Sequence, residues 1–398
     1  MHRNVSIPYE IEGSRGQRIG DSKEGFLDNI IKKRIIRIKE RFSQINIDTL
    51  MVLVDENRRY LSGFRGHDTQ FDESAGALFI SGSGLILATD SRYVEQAAKE
   101  APLYEVICCK KGLSKQIPTI LKTLGTKKLG FESVRISHLD YKKIEKAIKS
   151  SGLKVKLAET ENIVESLREI KNETEIRSIK KALLIAESVF SGIQGYIRAG
   201  ITEKEAAWKI EKGIREAGAE STSFPTIVAS GPNSALPHAI PSDRKFKDGE
   251  PILFDWGAKV DGYCSDISRT IVIGKPDEIF KKVYNTVLDA QSMAIKAIRP
   301  GADSKSIDRI ARNHIEKAGF KGMFGHGLGH GTGLSIHEQP RLGPLNNSKL
   351  KSQMVFTIEP GIYIPGWGGI RLENMVVVRK NKAEVLNKLD SSKYSAGV

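Results

Sequence analysis

Residues 250–274 read EPILFDWGAKVDGYCSDISRTIVIG. Two strand-like runs flank Asp261-Gly262, and Asp-Gly between such runs is the strongest short-range hairpin signal. With that dipeptide as the turn, Val260 pairs with Tyr263 and Asp255 lies opposite Ser268. Asp266 is then the diagonal neighbour of Asp255 on the same face, with Cβ atoms roughly 7–8 Å apart or less. Two carboxylates aimed into one space repel unless a cation or proton lies between them. The apolar Ile252-Leu253-Phe254 leading into Asp255 argues against plain exposure. Capping of nearby backbone by one or both is the structural alternative.

A second hairpin, MVFTIEPGIYIPGWGGIRLENMVVV (354–378), turns at Pro365–Gly368 and carries Glu359 and Glu373 inside apolar strands. A buried glutamate costs several kcal/mol unless paired or metal-bound. Arg371 answers for one glutamate and not obviously for both. Whether the two share a face turns on a bulge at Pro360-Gly361. A third stretch, GHGLGHGTGLSIHE (325–338), holds three of the chain's eight histidines. Its five glycines in nine residues exclude a stable helix, since each costs about 1 kcal/mol against alanine. Extended, the glycines fall on one face, where another backbone can approach closely. His326, Leu328, His330 and Thr332 fall on the other. His326 and His330 are then roughly 13 Å apart, too far to bind one metal centre together. Tight packing alone would also use such glycines.

Taken together, two Asp, two Glu and one His from three strand-like segments make an oxygen-rich, nitrogen-poor donor set. It suits a pair of Mn²⁺-like ions with bridging carboxylates better than a structural zinc, which prefers sulfur and nitrogen. Two-metal sites of this kind generate and orient a hydroxide nucleophile.

The rest of the chain sets limits. At 398 residues, two domains are expected. No apolar run reaches the ~18–20 residues that span a bilayer, so no membrane partner is expected. The polar, Gly-rich start lacks the apolar segment of a secretion signal. Cys108, Cys109 and Cys264 form neither a disulfide framework nor a CxxC site, which fits a cytoplasmic location. The formal net charge of +14 raises the question of nucleic acid. The lysines are spread along the chain among acids without aromatic clusters, so a solvated surface and no nucleic-acid partner are expected.

Residues 1–25 read as a loosely ordered tail. Residues 26–160 alternate strand and helix, the pattern of an α/β domain. In IKKRIIRIKERFSQI (31–45), Ile31, Ile35, Ile38, Phe42 and Ile45 recur at helical spacing. A break between domains falls near 153–163, where KVKLAETENIV (154–164) leads into one long helical pattern, 165–193. Thr202 with Glu205 is a capping-box signature opening a further helix. Residues 161–398 form an α+β domain, with two more helices near 277–297 and 303–318.

The ordered set FDWGAKVDGYCSDISRT, GHGLGHGTGLSIHE, FTIEPGIYI and GIRLEN resembles the pita-bread metallopeptidase family (M24). Its members include Xaa-Pro aminopeptidases, Xaa-Pro dipeptidases (prolidases) and methionine aminopeptidases. The resemblance covers essentially the whole second domain. It implies a pita-bread catalytic fold with two divalent metal ions, Mn²⁺ first, with Co²⁺, Zn²⁺ or Fe²⁺ as alternatives. It implies Asp255 chelating one metal, His330 and Glu359 binding the other, and Asp266 and Glu373 bridging both. It further implies that His238, in SGPNSALPHAIPSD, and His337 hold substrate or stabilise the tetrahedral intermediate. Glu359 is then general base and proton shuttle, His326 supports, and Arg371 braces the site.

NRRYLSGFRG (57–66) and ATDSRYVEQAAKEAP (88–102) resemble the N-terminal domain of Xaa-Pro peptidases and of creatinase. Methionine aminopeptidases usually lack that domain. Creatinase lacks the metal ligands, as do the catalytically silent chromatin- or ribosome-associated relatives, whereas all five are present here. The implied activity is hydrolysis of the N-terminal Xaa-Pro bond of peptides with proline second, by a homodimer or homotetramer. The TDSRYVEQA segment tips the expectation towards Xaa-Pro aminopeptidase, with Xaa-Pro dipeptidase as the alternative.

Overall fold

The computed structural model describes residues 23–68, 70 and 73–395, and the chain divides between Glu161 and Asn162 into two units. Residues 1–22 of the expected tail lie outside the described residues. A helix Lys23–Lys39 starts within the tail's last residues and buries Ile31, Ile35 and Ile38, three successive positions of one apolar stripe.

The first unit holds β1 (Thr49–Val52), β2 (Ala77–Ser81), β3 (Leu85–Thr89), β4 (Glu105–Cys108), β5 (Lys128–Glu132) and β6 (Lys156–Thr160). They form one sheet in the order β4-β3-β2-β1-β5-β6, and β2 is antiparallel to both neighbours. Parallel neighbours need long crossovers; helices Val94–Glu100, Leu113–Leu124 and His138–Ser150 supply them. Ile117, Ile120, Leu121, Ile144 and Ile148 of the last two pack on Met51, Phe79, Leu129 and Phe131. KVKLAETENIV contains β6, which pairs in parallel with β5, and the division between the units follows that strand. One expectation changes: the long helix is two, Glu165–Arg168 and Glu173–Ile193. Asn172 separates them by accepting the N–H groups of Thr174 and Glu175, while the Glu175 carboxylate accepts the Asn172 N–H. That capping box starts a new helix where the sequence pattern ran on.

In the second unit the strands are β7 (Ser221–Thr222), β8 (Ile227–Ser230), β9 (Pro251–Trp256), β10 (Ala258–Val260), β11 (Tyr263–Cys264) and β12 (Ile267–Val272). They are followed by β13 (Gly329–Gly331), β14 (Glu338–Leu342), β15 (Val355–Ile358), β16 (Gly361–Ile364), β17 (Gly368–Arg371), β18 (Asn374–Val378) and β19 (Ala383–Val385). Val355, Met375 and Val377 join a core with helices Glu173–Ile193 and Glu203–Glu216. Phe356, Ile358, Val376 and Val378 join a second core with helices Glu278–Ala297 and Ser304–Ile315. Successive side chains of a strand point to opposite faces. β15 and β18 are therefore covered on both sides, which is why, apart from Thr357 and Asn374, their sequences are apolar instead of alternating.

A carboxylate can enter such a layer only where the strands end. Glu359 directly follows β15 and Glu373 directly precedes β18, while β16 and β17 pair separately. Both glutamates thus emerge at one break in the sheet. The Asp261-Gly262 turn has positive φ at both residues and pairs Val260 with Tyr263 and Asp255 with Ser268. Among the described residues no helix is long and apolar enough to cross a membrane.

The alternating glycines admit backbone from either side. A Cβ at Gly329 would overlap the Thr357 carbonyl oxygen, and one at Gly331 the Gln339 carbonyl oxygen, whereas Gly325 faces open space. Gly331→Ala is expected to destabilise the fold by about 1–3 kcal/mol, the usual range for overpacking. Gly325→Ala should change stability by less than about 0.5 kcal/mol. Urea unfolding of the two variants checks this; equal losses would contradict the close-approach reading.

Candidate active site

The second unit's hairpins and its glycine strand bring their polar residues to one place. On β9, Asp255 accepts from Arg371 Nη2 at 2.7 Å. Asp266, just ahead of β12, is buried. On β13, the His330 N–H donates to Thr357 Oγ1 at 3.1 Å, and its Nδ1 lies 3.1 Å from the Gly331 carbonyl. With Nδ1 as the donor there, the Nε2 lone pair faces Glu359 Oε1 at 3.3 Å and Asp266 Oδ2 at 3.5 Å. Asp266, His330 and Glu373 each offer a ligand atom within 4.8 Å of the others.

Arg371 holds the surround together. Besides Asp255, its guanidinium donates to Ser268 Oγ at 2.9 Å, Tyr363 Oη at 2.9 Å and the Pro237 carbonyl at 3.2 Å. It pairs with an aspartate, where the sequence had suggested a glutamate. Ser268 Oγ passes the contact on, donating to Glu373 Oε2 at 2.8 Å. Thr357 Oγ1 donates to Glu359 Oε1 at 2.9 Å. Two oxygens are left over. Asp255 Oδ1 and Glu373 Oε1 are buried with no hydrogen-bond partner. A buried acceptor without a donor is costly, more so when charged, and cations are what four carboxylates around one guanidinium require. The donor set, four carboxylates and one imidazole, fits divalent ions that accept oxygen with some nitrogen.

The titration behaviour carries the same signature. Burial, then the charges of Glu373 and Asp255, push the Asp266 carboxyl well above its usual value. Glu373 is raised the same way, by burial and then by Glu359 and Asp255. Burial moves Glu359 up to about 7. Burial and the neighbouring His337 move His330 down to about 3, so its ring is neutral and open to a metal.

These groups line a cleft of about 620 Å³ that also takes in Phe224, His238, His337 and Arg341. The volume lies within the roughly 300–1,000 Å³ of small-ligand sites. His238 is exposed on a loop whose Pro237 carbonyl Arg371 holds. The chain reverses after Gly331, and the His337 ring returns edge-on to His330 with centroids 4.3 Å apart. His326 stands apart from the carboxylates, its Nε2 2.9 Å from Tyr363 Oη, which in turn meets Arg371. Four contributors escaped the sequence reading: Ser268, Thr357, Tyr363 and Arg341. The hairpin register was the available signal for Ser268, opposite Asp255, and strand spacing for Thr357, two residues before Glu359. Nothing local marked Tyr363 or Arg341.

Carboxylates and one histidine converging in a cleft of peptide size are the mark of a metal-dependent peptidase. The chain belongs to metallopeptidase family M24, whose model matches residues 177–380; residues 34–170 match the creatinase/prolidase N-terminal domain. It is 36% identical to an Xaa-Pro dipeptidase of Pyrococcus horikoshii over 91% of this chain and 99% of that one. An Xaa-Pro dipeptidase structure from Bacillus anthracis matches with a TM-score of 0.86 at 37% identity, covering 92% of this chain and 99% of that chain. An X-Pro aminopeptidase structure from Thermotoga maritima matches with a TM-score of 0.81 at 37% identity, covering 89% and 99%.

A proton count follows from the shifted groups. Metal ligation needs ionised carboxylates and a neutral imidazole. Above about pH 3 His330 is already neutral and gives up no proton, whereas Glu359 stays largely protonated below about pH 7 and Asp266 and Glu373 are also raised. Mn²⁺ binding at pH 6.5 should therefore release about one proton or more per chain, and affinity should rise as pH approaches 7. Calorimetry in two buffers of different ionisation enthalpy measures this. Binding without proton release would contradict the assignment.

Proposed function

We propose that the chain is an Xaa-Pro dipeptidase that holds two divalent ions, Mn²⁺ first among Mn²⁺, Co²⁺, Zn²⁺ and Fe²⁺. The observation that carries the dipeptidase reading is Arg341. It lies opposite His330 across the β13–β14 pair and lines the cleft, with its side chain exposed. Among the described residues no carboxylate forms a salt bridge with it. A dipeptide presents a free carboxylate one residue beyond the scissile bond, and a guanidinium binds that group by charge-assisted hydrogen bonds. A longer peptide has a neutral amide there. The TDSRYVEQA segment, which favoured the aminopeptidase, does not discriminate. It lies within the match to a domain named for both creatinase and prolidase. The dipeptidase relatives support the same reading, and the Thermotoga maritima likeness keeps the aminopeptidase as the second.

In this reading Asp255, Asp266, His330, Glu359 and Glu373 hold the ions, with Asp266 and Glu373 between them. Divalent ions there supply Lewis acidity, polarising the scissile carbonyl and lowering the pKa of water. Glu359, a carboxylate beside the ions, is placed to take a proton and hand it on. The leaving group is a proline nitrogen, which carries no hydrogen in the peptide and must gain one as the bond breaks. His337, whose pKa burial and Arg341 lower, is neutral near pH 7 and can donate an N–H to developing charge. His238 closes the cleft from the loop side. Arg371 fixes Asp255 and the His238 loop together, and His326 steadies Arg371 through Tyr363.

The test compares Xaa-Pro with Xaa-Pro-Yaa-Zaa peptides on purified, Mn²⁺-loaded protein. The dipeptide should be hydrolysed faster. Arg341→Ala should lower kcat/KM for the dipeptide by about 10- to 100-fold, the loss of one charged hydrogen-bonding partner, and affect the tetrapeptide far less. Equal losses, or faster tetrapeptide cleavage, would favour the aminopeptidase.

A further inference from the structure

The Glu338 side chain, next to His337, is 7% exposed, a place where a lone carboxylate would be costly. It has two cations. Arg168 Nη2 meets Oε2 at 2.5 Å and Lys171 Nζ meets Oε1 at 2.5 Å, and all three side chains are at most 7% exposed. Arg168 ends helix Glu165–Arg168, and Lys171 lies in the short segment between it and helix Glu173–Ile193. That segment is itself pinned, since the Lys171 N–H donates to the Gln353 carbonyl at 3.0 Å and Ile170 bridges to Met354.

The loop 332–337 hangs from this anchor. Thr332 Oγ1 donates to the Ile336 carbonyl at 3.1 Å, and the Cys264 N–H donates to the Gly333 carbonyl at 2.8 Å. Gly333, the last of the alternating glycines, lies so close to Glu338 that a Cβ there would overlap its carboxylate. Neither ring nitrogen of His337 has a hydrogen-bond partner among the described residues. Only its backbone and its edge contact with His330 aim the ring. A buried ionic triad is often no more stable than apolar side chains of the same size, so stability alone does not account for it.

We propose that Glu338 is a positioning residue for His337: the Arg168–Glu338–Lys171 triad fixes the backbone that presents the His337 ring to the cleft. The inference rests on His337 acting on the substrate as proposed above. Glu338→Gln and Lys171→Met are to be made in the wild-type and His337→Ala backgrounds. Lys171→Met leaves a one-to-one Arg168–Glu338 pair, and it carries the test if Glu338→Gln does not fold. The readouts are kcat and KM for an Xaa-Pro dipeptide, bound Mn²⁺, and histidine ring ¹⁵N spectra. Each single variant should keep its Mn²⁺, lose about 10- to 100-fold in kcat with little change in KM, and shift the His337 ring signals while His238 stays put. In the His337→Ala background the further loss should vanish. A full loss persisting in that background, or unmoved His337 signals, would overturn the proposal. A wild-type chain that cleaves no Xaa-Pro dipeptide would refute the functional reading alone, and the ring spectra would still decide this one.

Discussion

Like charge held in a small buried volume is the constraint on which the second unit depends. Asp255, Asp266, Glu359 and Glu373 converge with a single guanidinium, Arg371, among them, and two of their fully buried oxygens, Asp255 Oδ1 and Glu373 Oε1, have no protein donor. Without cations such a cluster must hold protons, and the raised carboxyls of Asp266, Glu359 and Glu373 are that response. The fold accepts this cost because the carboxylates stand only at strand ends and hairpin diagonals. Apart from Thr357, the β15 and β18 interiors stay apolar on both faces.

How much of this was legible in the sequence follows from the range of each signal. Asp-Gly fixed the first hairpin, and with it the diagonal of Asp255 and Asp266, since a two-residue turn sets every pairing behind it. The glycine alternation gave the close backbone approach at Gly329 and Gly331, because strand periodicity is local. The partners of Arg371 were not legible. They lie up to 134 residues away, and only the folded register decides that Asp255, and neither glutamate, meets the guanidinium. The break between Arg168 and Glu173 was missed because the apolar spacing continued through it. Asn172 as a cap was the one contrary signal.

Two clamps with different duties emerge. Arg371 ties Asp255, Ser268, Tyr363 and the His238 loop into the carboxylate cluster. The Arg168–Glu338–Lys171 triad holds the stretch where the chain doubles back and sets His337 against His330. The sequence shows the His-Glu pair at 337–338 but gives no hint of cations from some 170 residues earlier. Arg341 also lines the cleft, and the proposed preference for a dipeptide rests on it.

The central claim is that two divalent ions belong in the carboxylate cluster and that Asp266 joins them. Metal analysis of dialysed protein after Mn²⁺ loading tests it most directly, comparing wild type with Asp266→Asn. The account expects about two ions per wild-type chain and loss of both together in the variant, because one shared ligand serves both. Two ions retained by Asp266→Asn, or no stoichiometric binding by the wild type, would contradict it.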